Sequence, residues 1–557
     1  MTNDQMTVME PGEFAADLIF EGSQNVSVAS EFILPDYLPD IERILRVTAR
    51  TEGESELVSD GELHFNGEVI FSILYLAEDC QLKSVAFAAD YSGELVADGI
   101  QESDVVISET DVADACAQLS NPRKLLFRCQ VIYTARVYRM HMIEPQINGV
   151  RGVEDELTIE RDKVEVPAME VRRERSEELS GSIDIELDAS QPPVDQIVLC
   201  ELDIITISCT AESGMLSYHG EGVLRCLYQT PDGGYAVATQ RFPVNAELAL
   251  ALRGKCGCYA KAKTGEITAS VEPNSYGEPR IIEVDYTYWL DVPVFYVSTV
   301  KLTRDIYSTD YECLPVFGSC VLRSPARTYE TNFTVNAVKP RGEVTTDVKG
   351  SLIMPVMTEA AVKITDVKLD SGKNKLIAEG EAEIFMLALC RLAPKTTAVV
   401  EHGSDQAAEP EQAEPETTYC GVTFSYPVKC ELDAHGVEEG FGWQCSVGVS
   451  NVKGRLDSTN VYADFEVNLN LVTENVGTYE YVTAATLDTA KSAAKPAASL
   501  ILYYPAEGES LWYIAKKYKS TCRDIALENG ITEGDKLPTV LRIPLPEKRK
   551  PIFSKVI

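Results

Sequence analysis

The chain has 557 residues, 45% of them hydrophobic and 25% charged, the composition of a foldable chain of roughly three to five domains. Fifty Lys and Arg against 87 Asp and Glu leave a net charge of −37, which argues against nucleic acid as the main partner because phosphate contacts require a basic face. No stretch approaches about 18 uncharged apolar residues, so no transmembrane segment is expected.

The amino-terminal run Met1 to Glu10 has no basic region followed by an apolar core, so no signal peptide is expected and the chain is placed in a cytosol. The 15 cysteines, spread from Cys80 to Cys522, suit that placement as small buried hydrophobes kept reduced. Cys256-Gly-Cys258 is the one close pair. Zinc needs four ligands, and the nearest histidines are His219 and the distant His402, so no metal and no cofactor are expected.

Most of the chain reads as short β-strands. Val69 to Leu76, Leu202 to Cys209 and Phe465 to Leu471 alternate, are rich in β-branched and aromatic residues, and are bounded by Gly, Pro, Asn and Asp. Pro231-Asp-Gly-Gly234 marks a hairpin turn. A Gly-Glu pair within a long strand recurs at Gly67, Gly220 and Gly380, and a closing strand follows each time, at 125–131, 280–285 and 461–467. Repeats at such a domain-sized period mean tandem domains and not a solenoid. The expected organisation is a β-rich domain over 1–150, a second over 151–300, and a third, diverged one over 301–482. The third contains an acidic Pro/Ala insertion at 401–418 that cannot bury enough apolar surface to order itself. A linker is expected over 483–499, then a small module over 500–546 and a basic tail over 547–557 containing Lys548-Arg-Lys550.

The small module reads as strand, helix, helix, strand. Ile501 to Tyr504 is a short strand, and Ser510 is a good N-cap for a helix carrying Leu511, Ile514, Ala515 and Tyr518 on one face. Thr521 caps a second helix that ends at Asn529, with Gly530 as its stop. Val540 to Ile543 returns as a strand closed by Pro544.

The run Gly508-Glu-Ser-Leu-Trp-Tyr-Ile-Ala515, with Tyr518, Ile525, Asn529-Gly530 and Leu541-Arg-Ile-Pro544, closely resembles the LysM family. That resemblance implies a βααβ fold with a shallow groove for N-acetylglucosamine polymers. Its walls here would be Gly508, Glu509, Ser510 and Leu511 on one loop and Asn529, Gly530 and Ile531 on the other. Backbone amides and small polar groups would bind the acetamide, and Leu511 or Ile531 would pack its methyl. Two departures bear on that role: Glu509 stands where the family has Asp, and the Gly before its last strand is absent from 536–540. Trp512 cannot share the face of Leu511 and either packs within the module or contacts a partner.

Tandem β domains with the segment Phe32-Ile-Leu-Pro-Asp-Tyr-Leu-Pro-Asp-Ile41 and one terminal LysM-like module are similar to the SPOCS-domain proteins of spore-forming clostridia. The resemblance implies a mainly β chain of tandem SPOCS-type domains acting in sporulation. Its role would be a mother-cell adaptor at the forespore surface, linked to the spore-coat morphogenetic ATPase or other coat proteins. A carrier of peptidoglycan-binding activity near cortex or wall is the other reading.

For catalysis the sequence offers no Gly-x-Ser-x-Gly, no phosphate-binding Gly-rich loop with Lys-Ser/Thr and no His-Glu-x-x-His. His64, His141, His219, His402 and His435 lie far apart, and His219 reads as a turn residue. No catalytic residue is assigned, and the chain is not expected to be an enzyme.

Overall fold

The structure is a computed structural model and describes residues 15–59, 61–141, 146–148, 159–212, 214–250, 254–392, 417–494, 498–532 and 536–545. It is mainly β, and three units repeat one wiring. In the first, strands β1 (Ala15–Ile33), β2 (Ile41–Ser59), β3 (Glu62–Ala77), β4 (Leu82–Val96), β5 (Val105–Asn121) and β6 (Lys124–His141) form two antiparallel sheets, ordered β1-β6-β5 and β2-β3-β4. A short β7 (Gln146–Asn148) follows. In the second unit β8 (Ile159–Arg175) and β9 (Leu179–Glu186) together take the place of β1. Then come the meander β10 (Gln196–Glu212), β11 (Met215–Gln229) and β12 (Tyr235–Ala249), and β13 (Cys256–Cys258), β14 (Lys261–Pro273) and β15 (Pro279–Ser308). The third unit has β16 (Tyr311–Pro340), a two-residue β17 (Thr345–Thr346), the meander β18 (Gly350–Asp370), β19 (Lys375–Leu392) and β20 (Thr417–Asp433), then β21 (Gly442–Leu456) and β22 (Asn460–Ser492). The last module has β23 (Leu500–Tyr503), α1 (Leu511–Tyr518), α2 (Cys522–Asn529) and β24 (Leu541–Pro544).

Each unit is a sandwich. Phe65 and Phe71 of β3 meet Phe127 and Tyr133 of β6 in one core, with Phe65 stacked on Tyr133 at 4.0 Å. The recurring glycines sit in the middle strand of each meander, opposite a register shift in the preceding strand: between Glu52 and Ser55, Thr206 and Ser208, and Ile364 and Asp366. The bulge crowds that position. A Cβ on Gly380 would lie 2.2 Å from the carbonyl oxygen of Lys363, and one on Gly67 2.9 Å from that of Glu52. At Gly67 and Gly380 the Gly is thus required beside the bulge, while at Gly220 a Cβ would instead meet the Tyr218 ring. By wiring and by this bulge, the third unit is a copy of the first two.

The Leu34-Pro35 to Ile41 segment has a structural role. Leu34 and Ile41 are buried and donate their amides to the carbonyls of Arg123 and Pro122. The Arg123 guanidinium donates to the carbonyls of Leu34, Pro35 and Leu38 and to Asp40, closing the loop and leaving the Tyr37 side chain in solvent. The second unit repeats the device: Leu187 and Val194 donate to Arg280 and Pro279, while the Arg280 guanidinium binds the carbonyls of Asp188 and Gln191. Arg123→Ala is expected to cost about 2–3 kcal/mol, since several charge-assisted hydrogen bonds go at once. Urea unfolding of the full chain measures it; an unchanged midpoint would mean that the loop holds its shape without the clamp.

Two expected boundaries move. The segment 483–499 is not a linker throughout: β22 continues to Ser492, paired with β16, because Val482, Ala485 and Leu487 are buried there. The second unit runs past residue 300 to Ser308, since β8 pairs with β15 over that whole length. His219 is a strand residue, not a turn residue, with its Nδ1 2.9 Å from Asn245 Oδ1. Residues 401–416 of the expected acidic insertion and the tail 547–557 lie outside the described residues, and Thr417 and Thr418 already belong to β20.

The units pack directly on one another. Val69 to Leu76 alternates only in its first half and is buried on both faces at its end. The cause is contact between units: Leu74, Leu227 and Leu387 occupy the same place in the three repeats and meet in one apolar cluster. A second cluster joins Ile107 and Tyr138, Tyr259 and Phe295, and Val472.

Candidate functional site

The two loops expected to bind sugar are shaped by local capping. Ser510 Oγ accepts from Tyr513 N at 3.2 Å, and Thr521 Oγ1 accepts from Asp524 N at 2.9 Å, so both hydroxyls cap helices. Gly508 and Gly530 have φ of 88° and 61°, the left-handed region that a side chain disfavours. The Glu509 carboxylate accepts from Ala506 N at 2.8 Å and from the Tyr503 hydroxyl at 2.9 Å. Those bonds hold it below the usual carboxylate range. Asn529 ties α2 to β24: its Nδ2 donates to the carbonyls of Ile525 and Arg542 and its Oδ1 accepts from Arg542 N. Leu511 and Ile531 pack against the module's core of Ile514, Ala515, Ile525, Leu541 and Ile543. Leu511 and Ile531 thus share one core, while the side-chain polar groups of Glu509, Ser510 and Asn529 are engaged within the module.

Trp512 contacts neither a free surface nor only its own module. Its Nε1 donates to Asp305 Oδ2 at 2.9 Å, and its ring lies edge-on to Tyr307 at 4.9 Å, both on β15. Trp512 thus packs on the module's own core and also contacts the chain's second unit. Lys516 Nζ reaches Asp305 at 2.6 Å, and the buried Tyr307 hydroxyl donates to Ser520 O at 2.6 Å. Burial alone would raise the Asp305 pKa; the Lys516 and Trp512 donors outweigh it and hold the carboxyl below its ordinary range. Away from this docking face, Tyr504, Tyr513 and Leu527 are exposed, and Lys517 lies over the rings of Tyr503, Tyr513 and Tyr518 at 5.3–5.9 Å. No periodicity in the sequence marks Asp305 or Tyr307, because their partners lie about two hundred residues away.

Where the three units meet, a cavity of about 510 Å³ with mixed polar and apolar walls is lined by β5, β14 and β21 among others and includes Tyr259, Trp443 and Gln444. Its cations are already paired, Lys261 with Glu109, Lys363 with Asp111, Lys263 with Glu54 and Arg136 with Glu21. Beside Leu74 lies a charge network. Arg46 bridges Glu201 of the second unit (2.7 Å) and Glu359 of the third, and Arg225 binds Asp203 at 2.5 Å. Burial and the neighbouring Glu201 push Glu359 up to about 8.

For metals, one group among the described residues has ligand atoms within reach of each other: Glu62, His64 and Glu94, across β3 and β4. All three are solvent-accessible, and exposed carboxylates of this kind cost nothing to hydrate, so the cluster defines no binding chemistry. No helix among the described residues is long and apolar enough to cross a membrane. No known protein family, curated protein or solved structure matches the chain.

Proposed function

We propose that the chain is a non-enzymatic adaptor of spore-coat assembly, acting on the mother-cell side of the forespore surface, with three SPOCS-like units presenting a LysM-like module to a coat protein such as the morphogenetic ATPase. One observation carries the preference for protein over glycan: the polar side chains on the two loops are satisfied internally, whereas Tyr504, Tyr513 and Leu527 stand exposed on a module fixed to a rigid scaffold. Exposed aromatic and apolar side chains are what protein interfaces use as anchors. The fixed module also meets a repeating layer without an orientational search, which lowers the entropic cost of binding.

The glycan reading keeps one observation in its favour. Open space stands where side chains at Gly508 and Gly530 would be, so their backbone is accessible to a sugar acetamide.

Calorimetry of the full chain with the coat ATPase and, separately, with chitin oligomers and muropeptides distinguishes the two. The expected result is ATPase binding that Tyr513→Ala and Leu527→Asp each weaken about ten-fold or more, with no saturable sugar binding. Sugar binding without ATPase binding would replace the adaptor by the peptidoglycan reading.

A further inference from the structure

We propose that Cys209 and Cys258 are a redox-modification site at which a peroxide-class oxidant closes a disulfide between the two sheets of the second unit. Cys200 and Cys226, and Cys390 and Cys420, also bring thiols into contact, but each pair lies within one sheet, whereas this pair spans two. Cys209 lies on β10 in the meander sheet and Cys258 on β13 in the facing sheet. Both are buried in the shared core, with their sulfurs 3.4 Å apart, and the Cys258 thiol also lies 3.2 Å from the Cys209 carbonyl oxygen. Sulfurs at van der Waals contact need close by little more than an ångström to reach the bonded distance of about 2.05 Å.

The surroundings fix both ends. The amide of Cys209 donates to Glu330 of β16 at 3.2 Å. Gly257, between the two cysteines of β13, leaves room for β16 as well: a Cβ there would lie 2.9 Å from Thr328 Oγ1. The Cys-Gly-Cys spacing thus serves the border between the second and third units, and the thiols are held in register with it.

The chemistry balances with hydrogen peroxide as co-reactant. One thiol attacks a peroxide oxygen, the O–O bond breaks, and a sulfenic acid and one water result. The second thiol then displaces hydroxide from the sulfenic sulfur, forming the S–S bond and a second water. Two thiols are oxidised and one peroxide is reduced. The buried Cys209 thiol, held protonated by its contact with Cys258 and by burial, reacts slowly. The bond is therefore a maturation staple formed under sustained oxidant and not a rapid sensor.

The test uses the full chain, purified reduced and held in dilute hydrogen peroxide, then trapped with iodoacetamide and digested with trypsin without reduction. Cleavage after Arg175, Arg225, Lys255 and Lys261 isolates residues 176–225 and 256–261. The expected product joins those peptides, with fragment ions placing the bridge at Cys209 and Cys258, and it reverts with dithiothreitol. Closing a loop of this length should raise the thermal midpoint of the β scaffold by about 4 °C, and the rise should vanish in Cys209→Ala. A bridge at Cys256 or Cys200 instead, or free alkylation of both thiols after denaturation, overturns the proposal. Mapping the unsubstituted chain decides the matter even where the variant fails to fold.

Discussion

Arg46→Met is expected to destabilise the chain by about 3–5 kcal/mol in urea or thermal unfolding, the penalty for leaving a buried charge without its partner. Arg46 makes the short ion pairs to both Glu201 and Glu359, with Arg225 a longer 3.9 Å from Glu359, and both carboxylates sit where desolvation is severe. The network holds two guanidiniums, of Arg46 and Arg225, against three carboxylates, Glu201, Asp203 and Glu359. One bound proton neutralises the excess, and it resides on Glu359, whose Oε1 is buried and accepts no hydrogen bond. In the unfolded chain Glu359 titrates near the ordinary carboxylate value; in the folded chain it does so near 8. Between those values the folded state binds a proton that the unfolded state has released. Stability is therefore fully present below the ordinary carboxylate range and falls as pH rises through about 8, by at most about 1.4 kcal/mol per pH unit. Glu359→Gln, which mimics the protonated form, is expected to remove that slope. A slope equal to that of the unsubstituted chain would show that the proton resides elsewhere.

What was legible in the sequence was local. Strand alternation, the Gly-Glu period, the Pro231 to Gly234 hairpin and the caps at Ser510, Thr521 and Gly530 all depend on residues within a few positions of each other, and the structure has them in place. Two kinds of feature were not legible. Run-on burial at Leu74 to Leu76 has the sequence pattern of ordinary alternation, because its second buried face is supplied by other units. The pairings of Arg46 with Glu201 and Glu359, and of Trp512 with Asp305, were hidden among 87 acidic residues, none of which carries a local mark of its partner. The loop residues of the small module are what the LysM resemblance implies, and no resemblance of sequence tells that Glu509 and Asn529 spend their hydrogen bonds inside the fold.

These non-local contacts change the sense of the repeat. Tandem β domains on flexible linkers would offer separate sites that gain by avidity. Here Leu74, Leu227 and Leu387 share one cluster, and the charge network draws on all three units, so the described β region is one scaffold. Its surfaces keep fixed spacings, which suits recognition of an ordered layer better than capture of a mobile ligand.

Tyr307→Ala is expected to release the terminal module from that scaffold. The ring is 1% exposed, packs edge-on against Trp512 and sits in the core of the module it does not belong to by sequence. Truncating a buried aromatic costs about 3–5 kcal/mol, more than the Asp305 ion pair with Lys516, partly open to solvent, can restore. The readouts are a red shift of Trp512 emission, isolated in a background where Trp289 and Trp443 are replaced by Phe, and new proteolysis near Ala493. Tyr307→Phe keeps the ring and loses only the bond to Ser520 O, so about 1 kcal/mol and no undocking are expected. Acid should act through Asp305: its carboxyl lies below the ordinary range when docked, so docking holds above that range and weakens as pH falls through the lowered value. If Tyr307→Ala leaves the Trp512 emission unchanged, the module is not held at this contact. If it undocks the module and leaves the proposed binding to the coat ATPase intact, the module binds as a tethered domain and the fixed scaffold is irrelevant to recognition. Loss of affinity on undocking, with the module itself still folded by its far-ultraviolet signal, would tie the β scaffold and the module into one binding unit.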